Sequence, residues 1–404
     1  MELLNKYSNI IGQDEVRNLV EEAKPLRGKY VTHVNATFYG GGVAEILNSL
    51  VLLMNDVGIK AGWRHIKGSN SFFEITKLFH NGAQGGDIKL DSRIKEIYEE
   101  VCRRNSIFMH LETNDIIVAH DPQVLPLIEF YRSEQPWLWR CHIDLTQPDK
   151  TLWRYLKRFI KQYDEMIVSD ESYQKKDVDV PQTVIMPSID PLSEKNKYLS
   201  SSQAKKILSE VGVKFHKPII SQISRYDPWK DPLGVVEAFK KIRKKTDCQL
   251  VLLGNTATDD PEGQEVYKKV VHKTKHMKDV TVLLNVDKND LVVNSLQRMS
   301  EVVLQKSIKE GFALTVSEAL WKGTPVVAGN VGGIPNQIVE GKNGHLVTSV
   351  GECAEKTVSL LNNKKTRRRM GEFAKKYVRD NFLITRHLRD YIRLLNQVNK
   401  RYGN

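Results

Sequence analysis

The sequence predicts an α/β protein with two Rossmann-like, doubly wound domains that face a central cleft. Short apolar runs alternate with longer amphipathic segments, which is typical of parallel sheets covered by helices. The 404 residues are enough for two domains of ordinary size. The alternation restarts after Ser200, where a helical stretch, Gly212 and a new strand-like run follow. We therefore expect domains over 1–212 and 213–382, with a C-terminal helix over about 383–404 that packs back on the first domain.

Each predicted element has its own signal in the sequence. The strand-like runs are short and apolar, as expected of strands that are buried on both faces. They lie at 30–35, 115–119, 165–169, 218–223, 249–253, 280–284, 301–304 and 325–328. The helical stretches are longer and amphipathic. They lie at 43–56, 92–104, 152–163, 233–245 and 313–321.

Composition and charge narrow the class of protein. Hydrophobic residues make up 40% of the chain, so it is not a disordered protein. No apolar run approaches the roughly 18–20 residues that span a bilayer, and the N-terminus does not resemble a secretory signal. The four cysteines are far apart and form no CxxC pair, which argues against disulfides and structural zinc and favours the cytoplasm. The net charge of +12 favours an anionic partner: nucleic acid, acidic lipid or a phosphorylated small molecule.

A glycine-rich loop follows the first strand-like run and opens a helix. The three glycines at 40–42 let the backbone approach a ligand closely, and amides at a helix start favour an anion. The loop lacks both the GxGxxG spacing of dinucleotide folds and the ending of a P-loop. Phosphate binding and a plain tight turn therefore both stay open for this loop.

Two cations follow the first strand-like run of the second half. Arg225 and Lys230 lie on a turn that contains Pro228 and ends at Pro232. An arginine can bind two phosphate oxygens at once, and a lysine adds a compact charge. The pair could form a diphosphate clamp, or it could be two surface cations on a loop.

A pair of glutamates frames the start of another helix. Glu310 precedes Gly311, which we expect to open the helix, and Glu318 lies about two turns further on. The amides at this helix start could bind an anion. They belong to Phe312, Ala313 and Leu314. A carboxylate at 318 could accept hydrogen bonds from vicinal hydroxyls such as those of ribose; the alternative is an ordinary exposed acid.

Two further strand ends carry a histidine and a carboxylate. The first is His120 with Asp121, and the second is His142 with Asp144. Either pair could bind sugar hydroxyls or act as acid and base, although a single histidine is more often structural. A metal pair at Cys141 and His142 is not expected, because no further soft ligands lie nearby in the sequence.

In order and domain position, these motifs resemble the retaining glycosyltransferases of the GT-B architecture, in the large sucrose- and glycogen-synthase-like family (family 4). The resemblance covers nearly the whole chain. Within that family, four segments of the first half are similar to the trehalose-forming enzymes, and retaining trehalose phosphorylases have related segments. They lie at 33–47, 72–77, 80–85 and 139–144.

The resemblance implies a donor site for a nucleotide sugar. The amides of Gly41 and Gly42 would approach its diphosphate, and Arg225 with Lys230 would neutralise the leaving group. Glu318 would hold the ribose, while Glu310 and the following amides would contact the donor sugar and phosphates. His120 would meet the primary hydroxyl of the donor glucose. The base would contact the backbone near Gly254 and Val286.

The resemblance also implies an acceptor site and an activity. The acceptor glucose would lie in the N-terminal domain. The residues that would contact it are Tyr39, Asn81, Gln84, His142 and Asp144. The implied reaction is retaining, reversible synthesis of trehalose from free glucose and UDP-, ADP- or GDP-glucose. Because the family offers no accepted carboxylate nucleophile, we expect front-face transfer, in which the leaving phosphate helps to deprotonate the acceptor hydroxyl.

These implications leave several alternatives open. We expect small-molecule substrates and no nucleic-acid or membrane partner; a homodimer is left open. No tightly bound cofactor and no protein-ligated metal are expected, although assistance by Mg²⁺ is left open. The main rival is a retaining trehalose phosphorylase. A basic nucleic-acid-binding protein lacks a recognisable reader module, and a sugar-nucleotide epimerase would need acid/base pairs that the sequence does not place.

Overall fold

A computed structural model describes residues 1–37, 41–131, 135–255 and 261–402, and it divides the chain into two compact units. The first unit comprises Met1–Ser188 and Ile384–Asn404, and the second comprises Ile189–Leu383. The division therefore falls earlier than the expected boundary at 212. The reason is that the segment after Ser188 is tied to the second unit: Asn294 Nδ2 donates to two of its backbone carbonyls, each at 2.9 Å.

The first unit contains a parallel six-stranded sheet in the order β2-β1-β3-β4-β5-β6. The strands are β1 Tyr30–Asn35, β2 Lys60–His65, β3 Ile116–His120, β4 Trp137–Arg140, β5 Glu165–Val168 and β6 Gln182–Val184. Its helices are α1 Glu2–Asn5, α2 Ser8–Ile11, α3 Gln13–Ala23, α4 Gly41–Asp56, α5 Asn70–Ala83, α6 Ser92–Met109 and α7 Lys150–Ile160. Separate apolar clusters lie on the two faces of the sheet, so it is doubly wound.

The second unit contains a parallel six-stranded sheet in the order β12-β11-β10-β7-β8-β9. The strands are β7 Ile219–Ile223, β8 Gln249–Gly254, β9 Val280–Leu284, β10 Ser300–Gln305, β11 Val326–Gly329 and β12 Gly344–Val347. Its helices are α8 Ser201–Glu210, α9 Pro232–Arg243, α10 Pro261–Thr274, α11 Asn289–Met299, α12 Leu314–Trp321, α13 Val350–Leu361 and α14 Lys364–Asn381. The predicted fold class, α/β with two Rossmann-like sheets, is confirmed.

The strand order of the second sheet determines where a ligand can bind. β7 is the first strand of this sheet in the sequence, yet it lies between β10 and β8. The chain therefore proceeds to one side of β7 and later returns on the other. In open α/β sheets, ligands bind outside the carboxyl ends of the strands at such a reversal of strand order. The loops after β7 and β10 carry Lys230 and Glu310.

The strands that periodicity does not find differ from those that it does. β2 is an edge strand of half-exposed and polar residues, and β6 has only three residues, all half-buried. β4 is fully buried but contains Arg140, whose charge interrupts the apolar run. Periodicity thus misses these three strands because none of them is a continuous apolar run.

The chain ends in a long helix that returns to the first unit. This helix, α15, spans Ile384–Tyr402 and is amphipathic. Its buried side is led by Leu388 and Tyr391, which belong to the apolar cluster shared with α3 and α4. Arg389 pairs with Glu15 on α3. Among the described helices, none is long and apolar enough to cross a bilayer.

The packing of α15 leads to a stability prediction. Leu388→Ala removes a side chain that is 0% exposed, so it should lower the free energy of unfolding by about 2–5 kcal/mol. Leu52→Ala is a matched control, because Leu52 is 59% exposed on α4, and it should cost less than about 1 kcal/mol. Urea titrations of both variants measure the difference. Equal losses would contradict the assignment of α15 to the first unit.

Candidate functional site

The centre of the candidate site in the second unit is an ion pair between two loops. Lys230 Nζ donates to Glu310 Oε2 at 2.6 Å, and the two side chains are 16% and 11% exposed. Lys230 comes from the loop after β7 and Glu310 from the loop after β10, so the pair joins the two loops beside the strand reversal. The sequence predicts both residues as functional but gives no sign that they form a pair.

Several contacts fix the position of Lys230. Its carbonyl accepts a hydrogen bond from Gln222 Nε2 at 2.7 Å. The carbonyl of the preceding Trp229 accepts the amide proton of Ile308 at 2.7 Å. Lys306 pairs with Asp231 on the other side. These bonds join the two loops at adjacent positions, so Lys230 is held in place before any ligand binds.

Arg225 lies on the same loop in a different environment. Its side chain is 62% exposed and contacts Asp227 at 3.2 Å. Asp227 also organises the turn, because its Oδ1 accepts the amide proton of Trp229 at 2.8 Å. The predicted clamp thus consists of one fixed lysine and one exposed arginine, whose planar guanidinium can bind two phosphate oxygens.

Glu318 is buried rather than exposed. It is 2% exposed, and its Oε2 accepts a hydrogen bond from Gln297 Nε2 at 3.2 Å. Lys195 Nζ lies 4.0 Å from Oε1. Buried carboxylates need such partners, which argues against an ordinary surface acid at this position. Nothing in the sequence around Lys195 marks it as a partner of Glu318.

The helix after Glu310 begins later than predicted. We expect Gly311 to open it, but α12 begins at Leu314, and Ala313 precedes it with φ 68°. The carbonyl of Gly311 accepts the amide proton of Gly333 at 3.1 Å, and Phe312 is buried. Gly311, Phe312 and Ala313 therefore form a loop, and the first helical amide in this segment belongs to Leu314.

Gly254 and Val286, the residues predicted to contact the base, lie at the ends of β8 and β9. The carbonyl of Gly254 accepts the amide proton of Asn285 at 3.1 Å, which brings Gly254 close to Val286. A Cβ at position 254 would lie 2.4 Å from the carbonyl oxygen of Ser224, so only glycine fits there. The close approach of the backbone, rather than a positive φ, explains this glycine.

In the first unit, α4 begins at Gly41, followed by Gly42. Gly41 has φ 79°, a conformation that favours glycine. Amides in the first turn of a helix have no partner within the helix, so these two glycines can present N–H groups to an anion. Tyr39 and Gly40 lie outside the described residues.

Three histidines of the first unit form a hydrogen-bonded chain. His33 Nδ1 lies 2.9 Å from His120 Nε2, and His120 Nδ1 lies 2.9 Å from His142 Nε2. His33 and His120 are buried, whereas His142 is half-buried. Because both ring nitrogens of His120 have partners, the predicted contact between His120 and a donor sugar has no available nitrogen in this structure. Of these three histidines, His142 is the one whose imidazole is accessible.

Charged and buried groups surround the three histidines. The Arg140 guanidinium is buried and donates to the carbonyls of Val168 and Ile185. Burial lowers the pKa of His33 to about 3. Burial raises the pKa of Asp121 to about 6, although its Oδ1 accepts the amide proton of His142 at 2.7 Å. A charge inside an apolar strand, as at Arg140, is a sequence signal that could have indicated this polar cluster.

The other predicted acceptor residues are spread over two loops. Asp144 Oδ1 accepts the amide and hydroxyl protons of Thr146 at 2.8 and 2.7 Å. Asn81 lies in the last turn of α5, and Gln84 caps that helix. His142 and Asp144 share one loop, whereas Asn81 and Gln84 lie at the end of α5.

The described residues offer no group of three or more His, Cys, Asp or Glu side chains that could hold a metal ion. The four cysteines are buried and unbridged. The predicted site residues present cations and carboxylates in the second unit, and imidazoles and backbone amides in the first; such groups suit phosphates and hydroxyls.

Two protein families match the chain. Residues 33–175 match the family described as trehalose synthase, N-terminal domain, and residues 204–377 match glycosyl transferases group 1. Trehalose synthase of Pyrococcus horikoshii is 46% identical over 399 residues, which is 98% of this chain and 96% of that protein. Trehalose synthase of Thermococcus litoralis is 46% identical over 397 residues, 97% of this chain and 96% of that protein.

More distant proteins share the fold. A trehalose phosphorylase of Pleurotus pulmonarius is 27% identical over 431 residues, 93% of this chain and 58% of that protein. Sucrose-phosphate synthase of Thermosynechococcus elongatus has a TM-score of 0.71 at 17% identity, covering 92% of this chain and all of that one. Anabaena HepE in complex with UDP-glucose has a TM-score of 0.69 at 15% identity, covering 91% of this chain and 99% of that one.

The two parallel sheets, the group 1 match and the structural neighbours define a glycosyltransferase of the GT-B architecture. Sequence identity of 46% to a trehalose synthase over nearly the whole chain narrows the assignment from this class of enzymes to one family. The chain belongs to the trehalose synthase family.

Asp121 gives a pH prediction for the first unit. Its pKa is about 6 in the fold against an ordinary value of 3.8, so the folded state binds more protons between these values and stability falls as pH rises through them. Asp121→Asn keeps an acceptor for His142 and removes the charge. It should raise the free energy of unfolding at pH 8 by up to about 3 kcal/mol and change it little at pH 3.5.

Urea unfolding at both pH values measures this effect. Asp14→Asn serves as the control, because Asp14 is 87% exposed, and it should give no such pH-dependent gain. Equal unfolding free energies for wild type and Asp121→Asn at pH 8 would contradict the cost assigned to the charged Asp121.

Proposed function

We propose that this protein transfers glucose, with retention of configuration, from a nucleoside-diphosphate glucose to free glucose and so forms trehalose reversibly. The proposal rests on the Lys230–Glu310 ion pair, which lies beside the reversal of strand order in the second sheet. The chain that contains this pair belongs to the trehalose synthase family. The pair combines a cation for a diphosphate with a carboxylate for sugar hydroxyls.

The donor would bind to the second unit. Arg225 and Lys230 bind the diphosphate, and Lys230 can do so without leaving Glu310, since an ammonium group has three donor protons. Glu310 accepts hydrogen bonds from the donor sugar. The backbone from Gly311 to Leu314 lies beside it, and Glu318 accepts the ribose hydroxyls after exchanging its Gln297 bond.

The transfer itself would proceed on one face of the sugar. As the bond from the anomeric carbon to the phosphate oxygen breaks, negative charge grows on the diphosphate, and Arg225 with Lys230 stabilises it. The acceptor hydroxyl attacks from the same face and passes its proton to the leaving phosphate. Glu310 is held by Lys230 at 2.6 Å, which suits hydroxyl binding rather than nucleophilic attack.

The acceptor glucose would use the first unit. His142 and Asp144 are half-buried on one loop and can bind hydroxyls. Asn81, Gln84 and Tyr39 remain predicted contacts. No metal ligand set is assigned, and UDP, ADP and GDP stay candidates for the nucleotide; UDP-glucose is bound in the structural neighbour HepE.

Product analysis tests the proposal. The protein is incubated with UDP-, ADP- or GDP-glucose and free glucose, and the products are resolved by chromatography and NMR. The expected product is the α,α-linked disaccharide together with the nucleoside diphosphate. An inverted linkage, or free glucose as the sole sugar product, would overturn the proposal.

A phosphorylase is the second candidate, because fungal trehalose phosphorylases are relatives at 27% identity. The two activities differ in the leaving group. A ribose partner for Glu318 makes sense only with a nucleotide, so calorimetry should detect binding of UDP, ADP or GDP and none of inorganic phosphate alone. Phosphate-dependent cleavage of trehalose without nucleotide would favour the phosphorylase.

The clamp gives a kinetic prediction. Arg225→Ala and Lys230→Ala should each lower kcat/KM for transfer by at least about 100-fold, because each removes a charge that stabilises the departing diphosphate. Arg368→Ala is the matched control, because Arg368 is 84% exposed on α14, and it should retain wild-type turnover. Steady-state rates with melting curves measure both. Near-normal transfer in either clamp variant would contradict its role.

A further inference from the structure

In the hydrogen-bonded chain of His33, His120 and His142, the two hydrogen bonds must be donated in the same direction. His120 bonds through both ring nitrogens, each 2.9 Å from a nitrogen of its neighbour. A neutral imidazole has one N–H and one bare nitrogen, so His120 must donate on one side and accept on the other. The protons of all three rings are therefore coupled: fixing one tautomer fixes the other two.

Burial keeps the three rings neutral. It is the leading cause that lowers the pKa of His33, His120 and His142, and the buried cation of Arg140 opposes protonation of the latter two. His387 on α15 faces the same cluster, with Nδ1 2.9 Å from the carbonyl oxygen of Met186. Asp121 is the nearby acid, and it is held to the amide of His142.

The inner end of the chain selects between the two directions. His33 Nε2 is buried and has no hydrogen-bond partner among the described residues. If the chain pointed inward, this atom would be an N–H without an acceptor; if it pointed outward, it would be a bare nitrogen. In protein backbones, buried N–H groups without an acceptor are rarer than buried acceptors without a donor, and we apply the same preference to this ring nitrogen. The outward direction is therefore favoured: His33 donates to His120, and His120 donates to His142.

We propose that His33 and His120 are positioning residues that lock His142 as the Nδ1–H tautomer, so that His142 donates a hydrogen bond to a hydroxyl oxygen of the acceptor sugar. His142 accepts from His120 at Nε2, and its Nδ1 bonds to no described residue. The two hydrogen-bonded rings are nearly parallel, with centroids 5.3 Å apart and planes inclined by 13°. The assignment of a sugar as the ligand of His142 rests on the proposed function, whereas the assignment of the fixed tautomer, which we call the tautomer lock, does not.

The lock limits what His142 can do. A neutral ring that receives a proton at Nε2 and carries one at Nδ1 has no lone pair left for an acceptor hydroxyl. His142 therefore orients the acceptor and is not its base, which is consistent with proton transfer to the leaving phosphate. Position is fixed as well as protonation, because the backbone amide of His142 is bound by Asp121 at 2.7 Å.

Nitrogen NMR tests the lock without any substrate. The full-length protein is labelled with ¹⁵N-histidine, and the His142 signals are identified by their loss in His142→Gln. At pH 7.5, His142 should carry its proton on Nδ1, the reverse of the tautomer that histidine prefers in water. A proton on Nε2, or a mixture of tautomers, in the wild-type protein would overturn the proposal, whether or not the variants at position 33 fold.

Variants at position 33 test the coupling. His33→Phe removes the inner donor and should release His142 into the ordinary mixture, whereas His33→Asn can still donate to His120 and should keep the lock. His387→Asn is the matched control in the same buried cluster, since His387 is 1% exposed but lies outside the chain, and it should leave the tautomer unchanged. An unchanged tautomer in a folded His33→Phe protein would contradict the coupling.

Kinetics then test the sugar contact. His33→Phe should raise KM for glucose about 3- to 10-fold, the range expected for one neutral hydrogen bond, and should leave the dissociation constant for the donor unchanged. His33→Asn should restore KM. An unchanged KM alongside a lost tautomer lock would overturn the positioning role. If wild type makes no trehalose, the proposed function fails while the NMR result still decides the lock.

Discussion

The Lys230–Glu310 ion pair is the contact on which the candidate donor site depends. Two charged side chains so nearly buried stabilise the fold only when they are paired, and their pairing requires the loops after β7 and β10 to meet. That meeting follows from the strand order, in which β10 rather than a sequence neighbour lies beside β7. The Lys306–Asp231 pair and the Trp229–Ile308 backbone bond strengthen the same junction. Topology thus provides a preorganised cation and carboxylate.

The first unit also pairs buried polar groups, but these groups are neutral imidazoles. Buried imidazoles need hydrogen-bond partners, and three histidines from β1, β3 and the segment after β4 supply them to one another. Arg140 donates to backbone carbonyls rather than to a carboxylate, and its positive charge adds to burial in opposing protonation of His120 and His142. The second unit therefore presents charge, whereas the first presents fixed hydrogen-bond donors and acceptors.

Sequence alone predicts much of this arrangement. The apolar runs identify the central strands, and the Arg225, Lys230, Glu310 and Glu318 motif identifies the class of enzyme. It could not reveal that Lys230 and Glu310 form a pair, because that depends on strand order rather than on spacing. The sequence does not show that Gly311 lies outside α12, because Ala313 adopts a positive φ that glycine would ordinarily supply. The family resemblance implies a sugar contact for His120, but the sequence does not show that the neighbours of His120 from other segments are histidines.

We propose that Lys230 and Glu310 together form the donor site of a glucosyltransferase. A crystal structure of the protein grown with UDP-glucose tests this assignment. We expect diphosphate oxygens within about 2.7–3.2 Å of Lys230 Nζ and the Arg225 guanidinium, with glucose hydroxyls on Glu310 and ribose hydroxyls on Glu318. A nucleotide bound elsewhere in the second unit, with the Lys230–Glu310 pair untouched, would contradict it.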